Sequence, residues 1–151
     1  MIPGRAAALA KILIVDDDNS VQATLRLLLE EAGHGVVAAS DGRGGLDLVN
    51  AEAFDLLLLD IFMPGMDGFE TLRFVRQEKP SLPIIAISGR PIPSDLADKP
   101  DFLVMATKLG AIRSLQKPFR PSVLLATVAA CLEAANRPSL RDAAGKIAFD
   151  R

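Results

Sequence analysis

Tryptophan and tyrosine are absent, and cysteine and histidine occur once each, as Cys131 and His34. One cysteine forms no intrachain disulfide and no cysteine-rich zinc cage, and one histidine excludes multi-histidine metal sites. A Ser-His-Asp or Cys-His centre would depend on His34 alone. No segment approaches about 18 uninterrupted apolar residues, and Met1 to Ala10 carries one Arg and no long apolar core. A soluble, cytoplasmic chain with no membrane partner is therefore expected. An excess of basic charge is missing too: 17 basic against 19 acidic side chains leave a formal charge of −2, so nucleic acid is not an expected partner. What is plentiful is apolar surface, at 50% hydrophobic and 24% charged residues in 151, which suits one packed domain better than two.

The apolar residues fall into alternating patterns. Ile12-Leu13-Ile14-Val15 is a continuous run of the kind a strand covered on both faces shows, and it stops at Asp16-Asp17-Asp18. Val21, Leu25, Leu28, Leu29 and Ala32 then recur at helical spacing, with Asn19 or Ser20 as the expected cap and Gly33 at the left-handed end position. Gly35 to Ala39 is a second, weaker strand. Asp41-Gly42 turns into a helix carrying Leu46, Val49 and Ala53, and Asp55 to Leu59 is a third strand with Asp60 at its end. A Pro- and Gly-rich turn, Met63 to Gly68, leads into a helix over Phe69 to Glu78, and Pro83 to Ile87 is a strand ending at Ser88-Gly89. A proline-rich loop from Arg90 to Pro100 and a helix over Asp101 to Leu109 precede a short strand near Ser114 to Gln116. The last helix starts near Pro121 and points Leu124, Val128, Cys131, Leu132 and Ala135 inward. Five strand-to-helix units of this type predict an α/β fold: a doubly wound, five-stranded parallel sheet with helices on both faces. The expected division is an N-terminal extension over 1–10, one domain over 11–135 and a polar tail over 136–151.

In open α/β sheets the ligand crevice lies beyond the carboxyl ends of the strands. The residues at those ends here are Asp16 and Asp17, Asp60, Ser88 and Lys117. With adjacent parallel strands, three carboxylates, a hydroxyl and an ammonium converge. Carboxylates so placed repel one another, and a hard divalent cation with oxygen ligands, Mg2+, is the expected remedy. Metal and Lys117 charge would then let Asp60 attack phosphorus, with Ser88 donating a hydrogen bond to a phosphoryl oxygen.

On Ile12 to Asp18, Leu57-Leu58-Leu59-Asp60 with Met63 to Gly68, Ile87-Ser88-Gly89 and Lys117-Pro118-Phe119, roughly residues 11 to 135 resemble the receiver domain of two-component response regulators, the flavodoxin-like fold of the chemotaxis response regulator. The resemblance implies that Asp60 takes a phosphoryl group from a sensor histidine kinase or a histidine phosphotransfer protein. It implies direct Mg2+ ligation by Asp17, Asp60 and the backbone carbonyl of Phe62, with Asp16 acting through water. It further implies that Lys117 pairs with the phosphoryl oxygens, that Ser88 moves towards them, and that a cis Lys117-Pro118 bond follows. Partner contacts fall on the first helix, at Ser20, Gln22 and Ala23. The switched surface, which would meet a downstream protein target, comprises the helix of 101–109, the fifth strand and the last helix. The expected chain is a single-domain switch or phosphate relay, monomeric or weakly dimeric, that catalyses only its own phosphorylation and dephosphorylation.

Three departures stand out. Ser114 occupies the position three before Lys117 where relatives often carry an aromatic switch residue, and the stretch from Ser88 to Gly110, with Pro91, Pro93 and Pro100, is longer than in the chemotaxis protein. Phe62 and Arg90 hold the two variable positions that tune dephosphorylation in relatives. Phe62 cannot hydrogen-bond an attacking water, so slow loss of phosphate is expected. Plainer readings compete: the acidic triplet could cap a helix, Asp67 is a turn residue, His34 a solvated or helix-dipole residue and Cys131 a small core side chain. An inert interaction module, or a phosphatase with Asp60 as nucleophile, are the alternative functions. The phosphatase lacks an acid at Phe62.

Overall fold

The structure is a computed structural model that describes residues 9–62, 68–88 and 113–136. Residues 1–8 of the expected extension, 63–67 of the turn expected over 63–68, the loop over 90–100, the helix over 101–109 and the tail beyond 136 lie outside the described residues. Within them the order is β1 (Lys11–Val15), α1 (Asn19–Glu31), β2 (Gly35–Ala39), α2 (Gly42–Ala51), β3 (Leu56–Asp60), α3 (Gly68–Glu78), β4 (Ile84–Ser88), β5 (Arg113–Gln116) and α4 (Pro121–Asn136). The strands form one parallel sheet in the order β2-β1-β3-β4-β5.

The unbroken apolar runs are explained by burial on both faces, because successive side chains point to opposite sides. Leu13, Val15, Leu57, Leu59, Ile84 and Ala86 face Val49 of α2 and Leu72 and Val75 of α3. Ile12, Ile14, Leu56, Leu58, Ile85 and Ile87 face Leu25 and Leu29 of α1 and Leu124, Val128 and Cys131 of α4. The doubly wound architecture follows: helices can bury an apolar stripe against either side of such a sheet.

Several local expectations change. The cap of α1 is Asp18, not Asn19 or Ser20: its carboxylate accepts from the N–H groups of Ser20 at 2.8 Å and Val21 at 3.2 Å, satisfying donors at the head of the helix. At the other end Gly33, at φ 102°, allows the N–H of Gly33 to reach the carbonyl of Glu30 and that of His34 to reach Leu29, both at 3.0 Å. His34 is thereby half-buried rather than solvated, and burial lowers its pKa, so a charged helix-dipole role is not what its surroundings favour. Cys131 is buried at 1% exposure, and its thiol pKa is raised, chiefly by desolvation. Ala53 and Ala135, expected inward, are exposed: α2 has ended at Ala51 before Ala53, and Ala135 lies in the last turn of α4. Among the described residues, no helix is long and apolar enough to cross a membrane.

Candidate functional site

The parallel register aligns the carboxyl ends of β1, β3 and β4. Val15 pairs with Leu59 and Asp60 with Ile87, so Asp16 leaves β1 beside the position where Asp60 completes β3. Two further backbone bonds hold the rim: Ile61 N–H to the Ile87 carbonyl at 2.8 Å, and Lys117 N–H to the Ser88 carbonyl at 2.7 Å. The second delivers Lys117 from the end of β5 to the same rim, and the Lys117-Pro118 bond is cis, as the resemblance anticipates.

Asp16, Asp17 and Asp60 each offer a carboxylate oxygen, and the three lie within 4.8 Å of one another. Asp16 and Asp60 are buried at 1% and 4% exposure, whereas Asp17 is exposed. Lys117 Nζ stands 2.8 Å from Asp16 Oδ2 and 3.5 Å from Asp60 Oδ2. Both oxygens of Asp16 are engaged, since Oδ1 accepts from the Asp18 N–H at 2.9 Å. Asp60 Oδ1 accepts from the Phe62 N–H at 3.0 Å, and the Phe62 ring packs partly buried against the core beneath α2 and α3. Ser88 is buried at the end of β4.

Charge in this pocket is strained. Burial raises the pKa of Asp60, Lys117 and the Phe62 N–H oppose that shift, and the charges of Asp16 and Asp17 reinforce it. For Lys117, burial pulls downward, but the hydrogen bond to Asp16 and the charges of Asp60 and Asp16 outweigh it and raise the pKa. An ammonium and an incompletely neutralised group of acids is an arrangement that invites a small cation. The donors are all oxygens, which fits a hard ion that keeps several waters.

All the predicted site residues, Asp16, Asp17, Asp60, Phe62, Ser88 and Lys117, are thus gathered at one rim of the sheet. Asp67 and Arg90 lie outside the described residues. Sequence reasoning placed Gln22 on the partner-facing helix and missed that its amide bonds to the Asp16 and Ala39 carbonyls of this rim.

Comparison with known proteins decides the family. Residues 12–129 match the response regulator receiver domain. The chain belongs to that family. It is 37% identical over 122 residues to the alkaline phosphatase synthesis transcriptional regulatory protein PhoP of Bacillus subtilis, covering 81% of this chain and 48% of PhoP. It is 39% identical over 122 residues to the transcriptional regulatory protein CpxR of Escherichia coli, covering 81% and 49% respectively. The chain spans about half the length of these curated relatives. A CheY-like receiver domain from Methanospirillum hungatei superposes with a TM-score of 0.76 at 29% identity, covering 86% of this chain and 98% of that one. Vibrio cholerae CheY4 gives 0.69 at 32% identity, covering 82% and 99%. The receiver family is a two-component signalling family, and Mg2+ and phosphorylation follow from membership. The expectation that nucleic acid is no partner finds no support in relatives named as transcriptional regulators.

Proposed function

We propose that this receiver domain accepts a phosphoryl group on Asp60 from a phosphohistidine donor, a sensor histidine kinase or a histidine phosphotransfer protein, and that acceptance switches a protein-binding surface. The observation that carries the reading is the convergence of Asp16, Asp17 and Asp60 around Lys117 Nζ at the carboxyl rim of the sheet. Asp17, Asp60 and the Phe62 carbonyl would hold Mg2+ directly. Asp16, with both oxygens already bonded to protein, would reach it through water. When bound, Mg2+ supplies positive charge against the acids and the phosphoryl oxygens.

The protein's own part is positioning. An Asp60 carboxylate oxygen forms the new O–P bond as the N–P bond of the donor breaks, and the imidazole leaves with the electron pair and takes up a proton. Lys117, kept cationic by its carboxylate neighbours, offsets the charge on the phosphoryl oxygens, and the Ser88 hydroxyl donates to one of them. Beside the rim, a groove of about 350 Å3 between Ser20, Val21, Thr24 and Leu25 of α1 and Lys117, Pro118 and Phe119 offers the donor protein a place next to Asp60. Such a donor puts the chain in the cytoplasm, as a unit of about residues 11–135 that turns over no substrate other than its own phosphoryl group.

Incubation of the chain with Mg2+ and acetyl phosphate tests this. A mass gain of one phosphoryl group that requires Mg2+ is expected. Absence of modification by both acetyl phosphate and phosphohistidine donors would instead favour an inert interaction module, and multiple turnover of a generic phosphate ester a phosphatase.

Phe62 bears on how long the phosphoryl group stays. Its ring fills space two residues beyond Asp60 and offers no hydrogen bond to a water approaching the phosphorus. Phe62→Asn is expected to shorten the lifetime of the acyl phosphate on the order of 10-fold, less than the roughly 10²–10⁴ of a full general base because an amide only orients water. Loss of radiolabel from purified phosphoprotein measures it, and an unchanged lifetime would remove Phe62 from control of hydrolysis.

A further inference from the structure

Gln22 sits on a half-buried flank of α1, four residues beyond the Asp18 cap, and its side chain turns back across the head of the helix. Its Nε2 lies 2.6 Å from the carbonyl oxygen of Asp16, 3.2 Å from that of Ala39 and 3.2 Å from Ser40 Oγ. Carbonyl oxygens only accept, so the amide nitrogen has to face them. Its two hydrogens serve one short bond to Asp16 and one shared between the other two acceptors.

These bonds tie the ends of β1 and β2 together past their last ladder bond, the Asp16 N–H to the Ala39 carbonyl at 3.1 Å. The carbonyl that Gln22 grips belongs to the peptide unit joining Asp16 to Asp17, so its direction governs how the next residue leaves the strand. Asp18 is anchored on the far side, by its N–H to Asp16 Oδ1 and by its own capping bonds. Asp17, exposed and surrounded by like charge, lies between two fixed points.

We propose that Gln22 is a positioning residue for the acidic site, a role that rests on the reading of that site given above. Its carboxamide fixes the Asp16–Asp17 peptide plane, so that Asp17 is held towards Asp60 while Asp16 stays on Lys117. Without the strap, the turn relaxes under repulsion of the three acids, and Mg2+ binding has to order it first. Groups that orient metal ligands from behind typically change affinity by about 10–100-fold when removed.

The test uses the full chain with Gln22→Met, which keeps side-chain length and helix propensity but has no donor, and with Gln22→Asn, whose amide falls one carbon short. The Mg2+ dissociation constant is read by isothermal titration calorimetry, and the half-saturating Mg2+ for acetyl phosphate labelling is read alongside it. Both variants are expected to weaken Mg2+ about 10-fold, with the labelling rate recovering towards that of the wild type at saturating Mg2+. A purely structural role would lower thermal stability and leave the Mg2+ dependence alone. Ser40→Ala, which leaves the bond to Asp16 intact, is expected to bind Mg2+ like the wild type. Unchanged Mg2+ affinity in either Gln22 variant overturns the proposal. A wild-type chain that neither binds Mg2+ nor becomes labelled would overturn the reading of the site itself, a result visible before any variant is made.

Discussion

Asp60→Asn is expected to abolish phosphoryl uptake outright and, in the metal-free protein, to leave the fold more stable than the wild type. The first effect is chemical: a carboxamide oxygen is too weak a nucleophile to displace imidazole or acetate from phosphorus. The second follows from burial. Asp60 is 4% exposed, and its pKa is raised from the ordinary 3.8, foremost by desolvation and only partly corrected by Lys117 and the Phe62 N–H. Below the ordinary value the carboxyl is protonated in the folded and unfolded chains alike and contributes nothing. As the pH climbs past that value the unfolded chain releases the proton first, so stability falls until the folded pKa has been passed. Neutral pH lies above the ordinary 3.8, so the deficit built up to that pH is present there. Asn keeps an acceptor for the Phe62 N–H, removes the charge and leaves Lys117 its closer partner, Asp16 at 2.8 Å. A gain of roughly 1–3 kcal/mol is expected, a fraction of the several kcal/mol that burying an ion costs. Thermal unfolding across pH 3 to 8 checks both size and sign: the wild-type loss on raising the pH from about 3.8 should flatten in the variant. Mg2+ should narrow the gap by stabilising the wild type more, since a ligand adds stability only to the state that binds it. A variant that melts well below the metal-free wild type at pH 7 would show that the buried charge supports the fold.

Burial of charged groups at strand ends explains why the site was legible before any coordinates. Three acids and a lysine at strand ends carry no packing role that an apolar residue would not fill better, so their positions stand out against Ile12 to Val15 and Leu56 to Leu59. The sheet was legible for the complementary reason: strands buried on both faces have nowhere to place polar residues. What could not be read depends on exact geometry. Asn19 and Ser20 have better cap positions by pattern than Asp18, but the Asp18 N–H is drawn to Asp16 Oδ1, so the turn closes one residue earlier. Gln22, in sequence, is one polar residue on a helix whose outer face is polar anyway, and nothing marks an amide that folds back onto two carbonyls. Ala53 and Ala135 fit an apolar stripe by spacing, but Ala53 falls beyond the end of α2 and Ala135 is exposed in the last turn of α4.

Gly68→Ala is the change expected to cost the fold most while touching no charge. Gly68 opens α3, and its N–H donates to the Ile61 carbonyl at 2.9 Å, which sets the first turn of the helix directly on the backbone that follows Asp60. A methyl group there would lie 2.3 Å from Ile61 Cα, 2.4 Å from Ile61 O and 2.6 Å from Asp60 O. All three atoms are backbone, so no rotamer change relieves the overlap. Either α3 lifts, opening the packing of Leu72 and Val75 against the sheet, or the end of β3 shifts and carries Asp60 with it. The expected loss is about 3 kcal/mol or more, at the upper end of overpacking costs, and Tm falls by roughly 6–12 °C at 2–4 °C per kcal/mol. Gly44→Ala is the matched control. Its methyl would meet only side-chain atoms, the Ala39 methyl at 3.5 Å and, at 3.2 Å, the Asp41 oxygen that caps α2 by accepting from the Gly44 N–H at 2.7 Å; a shift of a few tenths of an ångström relieves the contact, and the better helix propensity of alanine offsets its cost. That variant should therefore melt near the wild type or above it. The two relaxations of Gly68→Ala separate by labelling with acetyl phosphate below the melting transition. A lifted α3 leaves the labelling rate near that of the wild type, whereas a displaced β3 end lowers it as Asp60 moves from Lys117. Displacement is the expected outcome, because the overlap falls on Ile61 and Asp60 themselves while α3 keeps Leu72 and Val75 fully buried as its anchor. A Gly68→Ala protein as stable as Gly44→Ala would mean that the head of α3 does not rest on β3 as closely as these distances require.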